Sequence, residues 1–420
     1  MLHSVTSYRQ FIKFFLVLTA LAFSSCSVLT EEEDRDFGDQ GQLKNALPLS
    51  DTQLGHLRGN YRVTITGTEK FTGPVSIVSS NGRISLLSYE RETYAVMNAG
   101  CVDNQVVFEG RSYDPASQEG GLVRIRIENS TDSAQVCAGN APISPHVAYV
   151  GVSGRTKNSL TNFIKLEYVG PLKPVNKYII GHHGCRTVDN CGASENTLES
   201  IKLAGNLGAN SVEIDVHMSK DQVPILYHDD DFNSRLVSGI FCLGSVDNYT
   251  VLQMKVFCRL KYGERIPTLR EALQALLTDD TMKMVWLDPK KTSAVGPMVA
   301  LANEYKAKAT ALGKSLEILV GIPDDDYLSA YLASPGYENT ACLIEYDYTK
   351  ALAYNCRAYG PRFTVGPQRQ YADILHGAGR LILYWTVNDK DYFRLYFDEG
   401  AADGLISDRT FNIYTMFQQQ

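Results

Sequence analysis

Two adjacent histidines, His182 and His183, close the apolar run "KYII". Downstream, Glu213 and Asp215 sit two apart in "SVEIDVH", which puts both carboxylates on one face if the segment is a strand. Asp288 ends "KMVWLD" and is followed at once by Pro289 and Lys290, and His228 lies in "ILYHDD". Three carboxylates gathered at one place repel one another unless a cation sits among them. An all-oxygen donor set suits a hard divalent ion, Ca²⁺ or Mg²⁺, rather than zinc. Two imidazoles beside such an ion make a general acid and base pair, because their pKa values lie near neutrality. With a cation and a lysine to stabilise charge on phosphoryl oxygens, the residue types point to phosphodiester cleavage.

These residues meet only if the chain positions them. From residue 177 onward, strand-like runs alternate with helical ones: "KYIIGH", "SVEIDVH", "KMVWLD", "EILVGI", "CLIEYD", "RFTVG", "LILYWTV" and "DGLISD" are the candidate strands. Eight β segments with intervening helices over 177–415 predict a (β/α)8 barrel, whose chemistry gathers at the C-terminal ends of the strands. A doubly wound sheet is the alternative; the count of eight and the absence of a Gly-rich phosphate loop weigh against it. "SKDQ" reads as a turn, so "SVEIDVHMSKDQVPILYHDD" is a hairpin. A turn centred near residues 220 and 221 pairs His228 with Glu213 and brings it over the carboxylates. A slip of one residue would turn it away.

Ahead of the barrel, residues 51–172 are short alternating runs punctuated by Gly, Asn and Pro, without a helical period. They predict a small antiparallel sandwich or barrel with no catalytic constellation. At the N-terminus, Arg9 and Lys13 precede "FFLVLTALAF" and "SSC", which resembles a bacterial lipoprotein signal over 1–25 with Cys26 as the acylated residue. Phe23 departs from that pattern, and an ordinary secretory signal is the alternative. Residues 26–50 then read as an acidic tether, giving an exported, membrane-anchored protein of the bacterial cell envelope, periplasmic or at the outer surface. Of nine cysteines, eight remain once Cys26 is set aside. Proximity suggests the pairs Cys101–Cys137, Cys185–Cys191, Cys242–Cys258 and Cys342–Cys356. A formal charge of −7 leaves no basic stripe for nucleic acid.

The ordered set "GHHG", "ENT", "EIDVHMSKDQVPILYHD", "IPTLREAL", "WLDPK", "YWTVND" and "GLISD" resembles the glycerophosphodiester phosphodiesterase family over about 177–410. That resemblance implies that His182 and His228 are the acid/base pair and that Glu213, Asp215 and Asp288 hold the metal. It puts Lys290 near the phosphate, Trp385 on the wall of the substrate site, and His183 beside them as a substrate-binding residue. It implies hydrolysis of a glycerophosphodiester to glycerol 3-phosphate and an alcohol, with the neighbouring glycerol hydroxyl attacking phosphorus and water opening the cyclic product. Two residues depart from the pattern. His183 stands where the family has a substrate-binding arginine, with Arg186 in the next loop as a candidate replacement, and Asp288 stands where it has glutamate. Taken alone, His183 and His217 read as structural residues, and Glu345 and Asp347 as lining the mouth or capping a helix. Two rival readings stay open: a phospholipase D-like or sphingomyelinase D-like lyase acting on (lyso)phospholipids, and a surface-binding barrel without turnover. Residues 231–262 are apolar enough to touch acyl chains, or form a lid held by Cys242 and Cys258.

Overall fold

The computed structural model describes residues 37–66, 71–185, 192–239 and 241–419. The signal-like segment 1–25, Cys26, Arg186 and Cys191 lie outside them. Residues 37–50, expected as tether, are instead packed. Phe37 and Leu49 are buried, and β1 (Leu47–Pro48) pairs with β5 (Tyr94–Val102). The Glu109 carboxylate accepts from the backbone N–H groups of Gln42 and Leu43, which ties the segment down. Two apolar anchors and a buried acceptor outweigh the local polarity.

Eight antiparallel strands follow: β2 (Gly59–Thr66), β3 (Gly73–Ser80), β4 (Arg83–Ser88), β5, β6 (Gln105–Asp114), β7 (Glu119–Ile127), β8 (Tyr149–Gly154) and β9 (Asn162–Gly170). Each pairs with the next, and β9 returns to β2, so the sheet is a closed up-and-down barrel rather than a sandwich. Inward-facing Ile77, Leu86, Met97, Phe108, Val123 and Leu166 fill it. Strands β5 and β8 escape the pattern reading because glycine and alanine interrupt their apolar alternation. At Gly151 the reason is geometric: a Cβ would lie 2.1 Å from the carbonyl oxygen of Arg124. The expectation of no helix here is also corrected. Ser50 and Gln53 form a capping box on α1 (Asp51–Gly55), and Asn129 caps α2 (Ser130–Cys137). The short polar sequence of α2 has too few apolar positions to show a period, and Cys101–Cys137 fastens it to β5. Cys242–Cys258 and Cys342–Cys356 are also bonded.

The second barrel has eight parallel strands: β10 (Tyr178–Gly181), β11 (Ser211–Met218), β13 (Met284–Pro289), β14 (Glu317–Ile322), β15 (Ala341–Ile344), β16 (Ala358–Tyr359), β17 (Leu381–Tyr384) and β18 (Gly404–Ser407). Strand β10 pairs with both β11 and β18, which closes the cylinder. Val212, Ile214 and Val216 point outward to the helical layer, while Ile180, Trp286, Leu319, Leu343, Leu383 and Ile406 fill the interior. Strand six is not "RFTVG", as expected. It is the short β16 just before it, and Phe363–Val365 form a 3₁₀ turn. Gly360 explains the shift: a Cβ there would lie 2.7 Å from Leu343 and from Trp286, so this strand ends against the packed interior.

The two barrels share an apolar seam. Val78, Leu87, Tyr94 and Tyr113 of the first join the core of the second, and Tyr94 packs against Phe411 at 5.1 Å. Glu92 accepts from Asn412 and Arg409 at its edge.

Candidate active site

Glycines shape the first corner. A Cβ on Gly181 would lie 1.9 Å from the carbonyl oxygen of Gly184, and Gly184 has φ +81°. The tight turn tips His183 inward, itself at φ +52°. His182 emerges from the end of β10, where its Nδ1 lies 2.7 Å from Asp408 Oδ1 beyond β18. Asn388 donates to the other Asp408 oxygen at 2.6 Å. This leaves Nε2 of His182 as the nitrogen turned away from its anchor. Burial lowers the His182 pKa, as does neighbouring His183, against the pull of Asp408.

Parallel pairing places the acids. Residue Asp215 is in register with Asp288 across β11 and β13. One oxygen each from Glu213, Asp215 and Asp288 lie within 4.8 Å of one another. The Lys290 ammonium bridges two of them, 2.6 Å from Asp288 Oδ2 and 2.7 Å from Asp215 Oδ1. Burial alone would raise the Asp215 pKa, but His183 and Lys290 hold it well below the usual range. Glu213 goes the other way: burial first, then Asp215 and Asp288, push its carboxyl well up. One lysine cannot neutralise three buried carboxylates, so the donor set fits a hard divalent ion bound among Glu213, Asp215 and Asp288.

The hairpin register differs from expectation by one residue. Val216 pairs with Leu226 and Met218 with Pro224 on β12 (Pro224–Leu226), so Asp229, not His228, would fall opposite Glu213 if the ladder continued. It does not continue. The last bond in that register runs from the Tyr227 N–H to the Asp215 carbonyl at 3.3 Å; the chain then leaves the ladder, and His228 reaches the rim anyway, its ring 5.1 Å from that of His183. Its Nδ1 lies 2.6 Å from Asp229 Oδ1, and Asp229 in turn accepts from Asn233 and Arg235.

His183 is not arranged as a phosphate clamp. Its two ring nitrogens face Glu195 (3.4 Å) and Asp215 (3.3 Å), and it is only 3% exposed. It links the "SENT" loop to the acids, with Asn196 donating to Asp215 Oδ2 and accepting from the Asp215 backbone N–H. Glu195, Asn196, Asp229 and Asp408 were not singled out from sequence, although each stands in or beside a quoted motif. Arg362 had no signal, because its segment read as a strand. Together His182, His183, Glu213, His228, Asp288, Lys290, Glu345, Arg362 and Trp385 line one cavity of about 350 Å³. Trp385 donates from Nε1 to the Gly360 carbonyl, and the Arg362 guanidinium lies 4.8 Å from the centre of its ring.

Arg235 joins Asp229, the carboxylate that holds His228, to the loop, 2.7 Å from Asp229 and 2.9 Å from Glu195. Burial opposes ionisation of both acids, yet His183 and Arg235 hold Glu195 down to about 2, and Arg235, Asn233 and His228 hold Asp229 down to about 2. Carboxyls lowered in the folded state contribute stability that is complete above their unfolded pKa values. It is lost as pH falls toward the folded ones. The free energy of unfolding therefore declines from about pH 4.5 to about pH 2. Arg235→Gln makes that decline shallower, as urea midpoints across the window will show; an unchanged slope would mean the bridge contributes nothing.

A closed barrel carrying this rim is that of a phosphoric diester hydrolase. The profile of the Glycerophosphoryl diester phosphodiesterase family matches residues 181–411, more than half of the chain, and the chain belongs to that family. It is 27% identical over 231 residues to the "Probable glycerophosphodiester phosphodiesterase 2" of Mycobacterium tuberculosis, covering 51% of this chain and 81% of that one. Over 104 residues it is 33% identical to the glycerophosphodiester phosphodiesterase of Caldanaerobacter subterraneus subsp. tengcongensis, covering 23% of this chain and 40% of the other. A solved phosphodiesterase of Oleispira antarctica, in complex with the product sn-glycerol-3-phosphate, is 24% identical with a TM-score of 0.42, covering 56% of this chain and 94% of that one.

Proposed function

We propose that the barrel hydrolyses glycerophosphodiesters to glycerol 3-phosphate and an alcohol, with His182 and His228 as the acid/base pair. The observation that carries this reading is that both imidazoles are fixed through Nδ1 to separate carboxylates and line one cavity with Glu213 and Asp288, whose oxygens lie close to that of Asp215. Each ring therefore has Nε2 left for substrate. One accepts the proton of the attacking hydroxyl while the other protonates the departing alcohol, and the roles reverse when water completes hydrolysis. Glu213, Asp215 and Asp288 would hold a divalent cation, Ca²⁺ or Mg²⁺, which when bound neutralises the acids and polarises a phosphoryl oxygen. Lys290 holds the charge of the acids in place beside it, and Trp385 walls the pocket. Measuring glycerol 3-phosphate released from a panel of glycerophosphodiesters tests the proposal; a panel without any product would defeat it.

Arg362 supplies the guanidinium that His183 does not. It stacks on Trp385 and lines the cavity with both histidines. Charge-assisted hydrogen bonds contribute about 1.5–3 kcal/mol, so Arg362→Ala lowers kcat/KM roughly 10- to 100-fold. Arg362→Lys recovers part of this, since it keeps the charge and loses the fork. A change below about twofold in the alanine variant would remove Arg362 from phosphate binding.

A further inference from the structure

The insertion after His228 carries an apolar surface that no other part of the chain covers among the described residues. Phe241, Leu243, Leu252, Val256 and Phe257 are between 53% and 73% exposed. They are neighbours in space because Cys242 and Cys258 are bonded with their Cα atoms 5.6 Å apart. Phe241 and Leu243 flank one half of that bond and Phe257 the other. Leu252 and Val256 lie one turn apart on the helix Val251–Phe257. The opposite side of this helix sends Met254 into a separate small core with Tyr227, Phe232, Val246 and Leu260. The insertion is thus a folded unit with its own interior, and the outward apolar residues are not there to build it. Single exposed apolar side chains are ordinary, whereas a grouped set marks an interaction surface.

Its charge and position say what covers it. Of the basic residues in 231–262, Arg235 and Lys255 are ion-paired with Glu195, Asp229 and Glu271, which leaves Arg259 and Lys261 as the cations beside the patch that form no salt bridge among the described residues. The insertion stands at the barrel mouth: it begins at His228, Arg235 ties it to Glu195, and Glu264 accepts from Ser194. Among the described residues no helix is long and apolar enough to cross a membrane. A second copy of the chain would need roughly 800 Å² per partner, more than five side chains provide. The geometry points to a phospholipid bilayer with anionic head groups as the partner of this patch, docked so that the active-site mouth faces the lipid. This extends the proposed phosphodiesterase reading to substrate presented at a membrane surface.

The test uses the full chain carrying Cys26→Ser, so that an acyl group expected on Cys26 cannot contribute. Cosedimentation is measured with vesicles of phosphatidylcholine containing one third phosphatidylglycerol, and with phosphatidylcholine alone. The expected result is binding to the mixed vesicles that weakens with salt, and a loss of about tenfold or more when Phe241, Leu252 and Phe257 are all changed to serine. Thermal unfolding and turnover of soluble glycerophosphocholine stay unchanged in the triple variant. Failure of the Cys26→Ser chain to bind mixed vesicles, or equal binding by the triple variant, overturns the docking surface, as does a patch-dependent dimer in sedimentation velocity. Turnover is read separately. A chain that binds vesicles but cleaves no diester refutes the enzymatic proposal and leaves the docking result standing.

Discussion

Replacing His228 or His182 by alanine lowers kcat by about 10²- to 10⁴-fold, the usual contribution of a positioned proton donor or acceptor. The fold survives either change. Asp229 keeps Asn233 and Arg235 when His228 is gone, and Asp408 keeps Asn388 when His182 is gone. Neither carboxylate is left buried without a partner, so the stability cost stays near that of one hydrogen bond, about 1 kcal/mol. Steady-state kinetics and thermal unfolding of the two variants check both halves. Turnover within about tenfold of the parent in either variant would take that histidine out of the proton-transfer step.

The second large effect concerns the acidic trio. A divalent ion that binds only the folded chain stabilises it by about 2.7 kcal/mol at a concentration one hundred times its Kd. Glu213→Gln abolishes that shift and the activity with it. The same exchange does not weaken the chain in the presence of chelator. Burial and the charges of Asp215 and Asp288 already disfavour the ionised Glu213 carboxylate, so a neutral amide removes a repulsion. Thermal melts of parent and variant, in chelator and then in Mg²⁺ or Ca²⁺, give the four values needed. An unshifted parent would show that no cation of this kind binds, and a variant that keeps the shift would clear Glu213 of holding it.

Much of this site was legible because it follows strand periodicity. Two carboxylates two apart on β11 must share a face, and the outward turn of Val212, Ile214 and Val216 leaves that face to the barrel interior. Asp288 falls beside Asp215 because parallel strands keep register. His228 was placed at the rim through a pairing that is off by one. The rim position comes from where the hairpin ladder ends, which no alternation pattern records. The supports of the histidines were harder to see: Asp408 lies 226 residues from His182, and only closure of the barrel brings them together. Arg362 was hidden by reading "RFTVG" as a strand when packing against Gly360 ends the strand earlier. In the first barrel, β5 and β8 were lost for a related reason, since close backbone approach selects small residues there that blur the apolar rhythm.

The most direct measurement follows glycerophosphocholine by phosphorus NMR with the purified chain, first in chelator and then with Mg²⁺ or Ca²⁺ restored. Cation-dependent loss of the diester signal, ending in that of glycerol 3-phosphate, is the predicted trace. A diester that persists with the ion present, one consumed equally well in chelator, or a reaction that stops at a cyclic phosphate would contradict the mechanism built on His182, His228 and the three acids.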